Sequence, residues 1–394
     1  MRRPQLAFAA AWLLLVGTAA WLVATDRLRD LEVLGVPTMQ PRFADVRPIT
    51  GAAVALQQGL DPLQSNPGDP WQRALNYPRV WLLPAWLGLG PAHSEALALV
   101  FLALFAAGLW CLLPLAQTTG QTALLAALAF APVTWLAIER ANNDVVVFAL
   151  LALAAACWRR RPGTGTGLVG AAAVLKLYPV FAAAALAGLP RARALRLAAL
   201  LGLGFGVYVL AQAGDLGAIR ANSLAWNRIS YGITQLPDAL AANTGWPRAP
   251  LLGGAAAVLA GAAALAFAAR RRAALAAEPG PALDAFRIGA GVFVGTFCLG
   301  SNFDYRLLAL LLTAPQVATW CSTARGWQRA AAALLAAGLL ALFWSMTWRR
   351  ALAAVLGSET PGLIADELVT WSVLLLLLGA LVTSLPLRAT EPTR

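Results

Sequence analysis

The sequence predicts an all-α fold, a polytopic transmembrane helical bundle of about twelve membrane helices, some short or broken. Three observations carry that prediction. Hydrophobic residues make up 60% of the 394 and charged residues only 12%, about half the charged share of a soluble domain. Mean hydropathy is +0.68. Apolar runs of bilayer-spanning length recur along the whole chain, and arginine clusters bound them. No hydrophilic run is longer than the first loop, so residues 1–394 read as one integral-membrane domain. The pI of about 10.8 does not point to nucleic acid, because the basic residues are scattered at loop ends. Cys111, Cys157, Cys298 and Cys321 are widely spaced in or beside apolar segments, which indicates neither a zinc site nor a disulfide framework.

The elements follow in order. Met1–Pro4 is basic and Gln5–Thr25 is one apolar run, longer than a signal-peptide core. It reads as an uncleaved first helix with its N-terminus in the cytoplasm. Residues 26–93 form the first extracytoplasmic loop. Helix two covers Ser94–Leu115, helix three ends at Ile138, and helix four runs to Trp158. Arg159–Arg161 and Arg191, Arg193 and Arg196 both read as cytoplasmic, so the segment between them crosses twice or dips in and returns. Each half holds roughly 13 residues, or ~20 Å of helix, too short for two full crossings. The turn falls at Lys176-Leu177-Tyr178-Pro179, where the proline disfavours helix at the residue before it. Helix seven covers Leu195–Ala213, and a second outer loop, Gly214–Pro250, carries Asn222, Trp226, Asn227, Arg228, Tyr231 and Trp246. Helix eight ends at Arg270–Arg272, and an Ala/Pro/Gly-rich linker spans Ala273–Pro281. Helix nine ends outside at Ser301–Arg306, helix ten at Cys321 and helix eleven near Met346. A third outer loop spans Thr347–Glu367, and helix twelve closes the chain inside, before Arg388. On this layout the cytoplasmic side holds 16 of the 30 Lys/Arg but only 3 of the 18 Asp/Glu, so nearly every carboxylate lands outside.

Within the first outer loop, Val46, Ile49, Ala53, Leu56 and Leu60 recur at spacings of 3, 4, 3 and 4, the mark of an amphipathic helix. Pro48 suits its first turn and Gly59 the residue past its end. Such a helix is expected to lie along the membrane surface with its apolar stripe in the lipid interface. Asp45 sits at its N-terminal end, where the helix dipole favours a carboxylate.

Four polar clusters reach the outer face: Asp45 with its loop, Glu139–Asp144, Lys176–Pro179 and Asn302–Arg306. A common membrane level suits one cavity, while solvated helix ends explain each cluster equally well. Lys176 tips the balance, because a lone lysine between apolar half-helices is costly without a partner or a function. Arg140, Lys176 and Arg306 are candidate phosphate ligands. Glu139 and Asp304 compete for them as structural ion-pair partners. Asp45 competes between catalytic base and helix cap. His93, the one histidine, begins helix two and suits a solvated or capping role. The 15 tryptophans partly form an interfacial belt. Trp71, Trp81, Trp86, Trp226 and Trp246 also offer faces for sugar rings. No phosphate-cradling glycine loop and no Asp-x-Asp pair for a metal–nucleotide-sugar are present.

Together these pieces resemble the C-type glycosyltransferases (GT-C fold) that use polyprenyl-phosphate sugars, and most closely glycosyltransferase family 87, phosphatidylinositol-mannoside mannosyltransferases among them. The residues that carry the resemblance are Asp45, Gly59-Leu60-Asp61-Pro62, Asn76-Tyr77-Pro78, Glu139-Arg140-Ala141-Asn142-Asn143-Asp144, Lys176-Leu177-Tyr178-Pro179 and Asn302-Phe303-Asp304-Tyr305-Arg306. The resemblance implies a multi-pass protein of a bacterial inner membrane with an extracytoplasmic site. It implies inverting transfer of a hexose, mannose above others, from a polyprenyl-phosphate sugar to a lipid or glycan acceptor, without a cofactor or metal. Asp45 is then the base, Lys176, Arg140 and Arg306 bind the donor phosphate, and Tyr77, Glu139, Asn142, Asn143, Asp144, Tyr178 and Asp304 line the substrate site. The rival classes are a transporter or lipid-linked sugar flippase, and a polymerase or ligase that uses a lipid-diphosphate glycan. A transporter is expected to show matched halves with a midplane site, and the sequence shows no internal repeat.

Overall fold

A computed structural model describes residues 1–223, 228–273 and 279–385. Trp226, Asn227, Arg388 and most of the Ala273–Pro281 linker lie outside the described residues. The described residues are mostly helical. The first apolar run forms α1 (Arg3–Ala24). The first loop holds a 3-10 turn at Leu28–Leu34, then α2 (Arg47–Gln57) and the short α3 (Leu83–Trp86). Next come α4 (Ser94–Trp110), α5 (Thr119–Ala129), α6 (Pro132–Arg140), α7 (Asp144–Cys157) and α8 (Pro162–Lys176). A 3-10 segment, Tyr178–Gly188, leads to α9 (Arg191–Ala211) and α10 (Ala213–Ala221). The strand β1 (Ser230–Tyr231) precedes α11 (Gln235–Thr244), α12 (Arg248–Ala273) and α13 (Pro281–Cys298). β2 (Asn302–Phe303) and a 3-10 segment, Asp304–Leu312, precede α14 (Ala314–Thr323). The chain closes with α15 (Gly326–Phe343), α16 (Ser345–Leu356) and α17 (Thr360–Ser384).

Six helices among the described residues are long and apolar enough to cross a bilayer: α1, Pro91–Leu115 around α4, α9, Arg248–Arg270 in α12, α15 and α17. Helix three of the sequence layout is a bent pair, α5 and α6, turned by 48°. Pro132 starts α6 and has no amide hydrogen to continue the α5 ladder. The layout of about twelve also counted α7, α8, the 178–188 segment, α13 and the 304–323 region. Those are short, broken, or carry charges such as Asp284 and Arg287. They form the interior: α13 packs on 178–188 and on 304–312, and α7 packs on α4 and α8. By contrast, almost none of α9 or α12 is covered by the rest of the chain.

Two expectations are corrected. The helix in the first loop exists, with Pro48 in its first turn and Gly59 at φ +70 past its end. The first part of its stripe, however, does not face lipid: Val46, Ile49 and Ala53 are buried in the core, and so are Ala52 and Ala55 beside them, whereas Leu56 is half-buried and Leu60, past the helix end, is exposed. The loop's own later segment covers it. A Cβ on Gly51 would stand 2.6 Å from the Gly68 carbonyl carbon, so the two backbones touch because both positions are glycine. Asn66 Nδ2 also donates to the Pro48 carbonyl at 2.9 Å. The third outer loop is mostly helix as well, since α16 occupies its first half and α17 begins at Thr360.

Candidate active site

The site is built where four distant segments meet. The Phe43 amide donates to the Glu139 carbonyl (3.3 Å) and the Asp45 amide to the Arg140 carbonyl (3.1 Å), which fastens the first loop to the end of α6. α6 stops because Ala141 takes a left-handed conformation, φ +44. The turn aims Asn142 inward before α7 begins at Asp144. α8 stops at Lys176 because Leu177 also has positive φ, +62. Pro179 then excludes further α-helix, as the sequence anticipates. Trp81 fixes the end of α8 by donating from Nε1 to the Leu175 carbonyl at 2.9 Å.

Asn142 is the hub. Its Oδ1 accepts from the Asp144 amide (2.8 Å) and from Lys176 Nζ (3.0 Å), so its Nδ2 must face Asp45, to whose Oδ2 it donates at 2.6 Å. Lys176 Nζ also pairs with Asp144 Oδ2 at 2.8 Å, with both side chains buried. Tyr178 donates its hydroxyl to the other oxygen of Asp144. The Tyr77 and Tyr305 rings lie 5.2 and 5.5 Å from Lys176 Nζ. Burial holds the Tyr77 phenol well above its ordinary pKa, so a neutral ring meets the ammonium. The Arg306 guanidinium stacks over the Tyr178 ring at 5.1 Å and donates to Asn302 Oδ1. β2 holds Asn302 by pairing antiparallel with β1, Tyr231 opposite Asn302. Asn143 is fully buried, and neither atom of its side-chain amide has a protein partner among the described residues.

The helix-cap reading of Asp45 does not hold. The N-cap of α2 is Val46, and the Asp45 carboxylate turns to Asn142 and to Arg73, whose Nη1 lies 3.6 Å away. The sequence reading overlooks Arg73. Its guanidinium is braced by fully buried Asp69 at 2.9 and 3.1 Å and stacks on Trp71 at 4.6 Å. No periodicity marks that pair in the sequence, because the 66–73 loop is not a helix.

Three candidates sit apart from this cluster. Glu139 and Arg140 pair with each other at 3.0 Å. Glu139 also accepts the Met39 amide, and Arg140 Nη2 donates to the Pro37 carbonyl at 2.6 Å. Arg140 therefore enters the site through its backbone, and its guanidinium makes no contact with Lys176 or Arg306. Asp304 faces Asp366 and Arg349 instead. Residues two apart on a 3-10 helix leave it on different sides, so Asp304 and Arg306 diverge. Asp61 lies elsewhere too, in a clamp with Arg79 (2.9 Å) that also takes Asp215 of α10 (2.7 Å). That guanidinium holds the Asp61 carboxyl below its ordinary range. His93 accepts the Gly90 amide at 3.2 Å, a capping role.

The charges are arranged with a polarity. At one end two carboxylates, Asp45 and Asp69, share one guanidinium, Arg73, for a net single negative charge. At the other end two cations, Lys176 and Arg306, face one carboxylate, Asp144, for a net single positive charge. Asn142 joins the two ends. Such a site offers a proton acceptor and an anion-stabilising cation pair on either side of one amide.

These features define a multi-pass membrane protein with a polar catalytic-type cluster among broken helices. Residues 78–301 match the model of Glycosyltransferase family 87, over half of the chain, and the chain belongs to that family; it is a membrane glycosyltransferase. The crystal structure of ArnT from Cupriavidus metallidurans in the apo state is similar at 14% identity over 94% of this chain and 78% of that chain, with a TM-score of 0.35. No curated protein matches the chain in sequence.

Proposed function

We propose that the protein transfers a hexose, mannose by resemblance, from a polyprenyl-phosphate sugar to a lipid or glycan acceptor, with inversion, at the extracytoplasmic face of a bacterial inner membrane. Asp45 deprotonates the acceptor hydroxyl as that oxygen attacks the anomeric carbon, and the lipid phosphate leaves from the opposite face. One observation supports this reading above others: the Asn142 bridge holds a carboxylate and a lysine at the two ends of one side chain, 2.6 and 3.0 Å away. A base is required at the attacking oxygen and a cation at the departing phosphate. Lys176 and Arg306 meet the second need. Asn143, whose side-chain amide has no protein partner among the described residues, and Tyr77, whose ring lies beside Lys176, are our candidates to meet the sugar. Membership of a glycosyltransferase family removes the motive for the transporter and flippase readings.

The test is transfer from a radiolabelled polyprenyl-phosphate mannose to endogenous acceptors in membranes expressing the protein. Product from that donor supports the reading. Product only from a lipid-diphosphate glycan assigns the protein to polymer ligation instead. In the same assay Asp45→Asn is expected to lower turnover by about 10²–10⁴-fold, because the amide keeps the shape and cannot accept the proton. Asp61→Asn is the control, because Asp61 belongs to the Arg79 clamp. Near-normal turnover of Asp45→Asn overturns the assignment of the base.

A further inference from the structure

Three buried carboxyls take no part in the candidate site. Asp304 opens the 3-10 segment that carries Arg306, and Asp366 and Glu367 are consecutive in α17. They are 4, 8 and 9% exposed, so each is at least nine-tenths buried. One cation serves all three. Arg349 of α16 pairs with Asp366 Oδ2 at 2.6 Å, and its charge also reaches Asp304 and Glu367. Backbone bonds bring these parts together. The Arg228 carbonyl accepts from Arg349 Nη2, and the next carbonyl, that of Ile229, accepts from the Asp304 amide at 3.0 Å. One oxygen of each carboxyl is buried without a partner among the described residues: Asp304 Oδ2, Asp366 Oδ1 and Glu367 Oε2.

Three carboxylates beside one guanidinium leave two uncompensated negative charges in the interior. Burial penalises the charged form, and a like charge adds to the penalty, so such groups take up protons. A protonated carboxyl also donates one hydrogen bond, which an ionised one cannot. Two protons therefore cancel the excess charge and supply two donors for the three lone oxygens. Burial, with Asp366 beside it, pushes the Asp304 carboxyl up to about 8.

The other charged groups on the elements packed around the trio are engaged elsewhere. Glu139 pairs with Arg140 on α6, Asp144 of α7 with Lys176, and Asp284 with Arg287 on α13. Arg248 of α12 pairs with Asp238 of α11, and Arg228 with Glu359. Arg270 donates to the Leu385 carbonyl and Arg350 to that of Glu32, while Arg306 turns to Asn302. Arg329 is exposed at the opposite end of α15. Tyr231 is the remaining titratable neighbour, and its hydroxyl bonds to that of Thr296 at 3.0 Å.

We propose that Asp304, Asp366 and Glu367 share two protons as a latch, which fastens the segment carrying Arg306 to α17 while loaded and loosens it when the protons leave for water. Deprotonation puts like charges on both sides of that contact. The consequence for Arg306 as a phosphate ligand rests on the transferase reading, whereas the latch itself does not.

Infrared difference spectroscopy and thermal unfolding of the full chain in lipid nanodiscs test the latch. The carbonyl stretch of protonated carboxylic acids is expected in mildly acidic buffer and is expected to fade as the pH passes about 8. Asp304→Asn and Glu367→Gln each keep a neutral side chain of the same shape, and each is expected to remove part of that band. A carboxyl that titrates at about 4 unfolded and higher when folded stabilises fully below the unfolded value, and the gain is lost as pH rises through the folded value. Between about pH 5 and about pH 8 the folding constant of the wild type is therefore expected to fall by up to about tenfold per pH unit for each proton held. Thermal midpoints follow that fall, and Asp304→Asn is expected to show a shallower slope. Absence of the carboxyl band, a band unchanged in both variants, or equal slopes in wild type and Asp304→Asn overturns the latch. Stabilisation by Ca²⁺ in alkaline buffer, seen in the wild type and lost in Asp304→Asn, also overturns it and assigns the trio to a cation. In the transfer assay the donor KM of the wild type is expected to rise severalfold as the band fades, and that of Asp304→Asn to stay level. Failure of the transferase reading has a different signature: no transfer from the polyprenyl-phosphate sugar at any pH, with the band and the slopes as expected.

Discussion

Lys176 shows how one residue carries two roles that a single substitution confuses. Its ammonium is the partner of Asp144, a carboxylate whose side chain is 1% exposed. Lys176→Met leaves that charge buried without its cation, a change that costs about 3–5 kcal/mol. A loss of activity in Lys176→Met therefore says nothing about phosphate binding. The double variant Lys176→Met/Asp144→Asn removes both charges and is expected to recover most of the thermal stability. If Lys176 meets the donor phosphate, the double variant still shows a strongly raised donor KM. Recovery of normal donor KM in the double variant assigns Lys176 to structure alone. The lysine itself was legible in the sequence, as a lone cation beside a proline-marked break. Its partners were not, because Asn142 and Asp144 are 34 and 32 positions away and only the packing of α7 on α8 brings them together.

Elements place these side chains through backbone contacts as much as through helix periodicity. α2 could be read from its 3-and-4 spacing, its proline and its terminal glycine. Its environment could not, because an apolar stripe is equally suited to lipid and to a protein interior. The deciding feature is the close approach of Gly51 and Gly68, which lets the 66–73 loop lie on α2 and bring Arg73 to Asp45. Gly51→Ala introduces a Cβ 2.6 Å from the Gly68 carbonyl carbon and the Asp69 amide nitrogen, both backbone atoms, so the loop must lift. The expected cost is about 1–3 kcal/mol of stability, together with a fall in turnover as Arg73 withdraws from Asp45. Thermal unfolding in detergent and the transfer assay check the two effects. Unchanged values in both show that Arg73 needs no anchoring loop. The break after Lys176 was legible because Pro179 names it. The bend at Pro132 is not legible, although it has the same cause, because two short helices together have the length of one span. Sequence position groups Arg140 and Asp304 with the site, and side-chain direction separates them from it.

For the whole molecule, the arginine pattern gives an orientation and the fold gives a reason for it. The first loop and the ends of α6 and α8 converge on the Asp45–Lys176 cluster. Asn222 of the second loop donates to the Leu63 and Leu75 carbonyls of the first, and Arg79 clamps Asp61 and Asp215. A surface so heavily cross-bonded is one face of the protein, so its parts must share one side of the membrane. Arg160 and Arg193 are both exposed, and the arginine bias of cytoplasmic loops leads us to expect them on the other side. This makes a sharp prediction in a background with Cys111, Cys157, Cys298 and Cys321 replaced. Gln64→Cys and Asn243→Cys occupy exposed positions in the first and second loops, and both are expected to react with a membrane-impermeant maleimide in intact cells. Arg160→Cys and Arg193→Cys are expected to react only after permeabilisation. Because the first and second loops are bonded to one another, a split result between Gln64→Cys and Asn243→Cys is incompatible with the fold itself. A reversed result keeps the fold and turns the candidate site to the cytoplasm, which removes the extracytoplasmic transfer proposed for it.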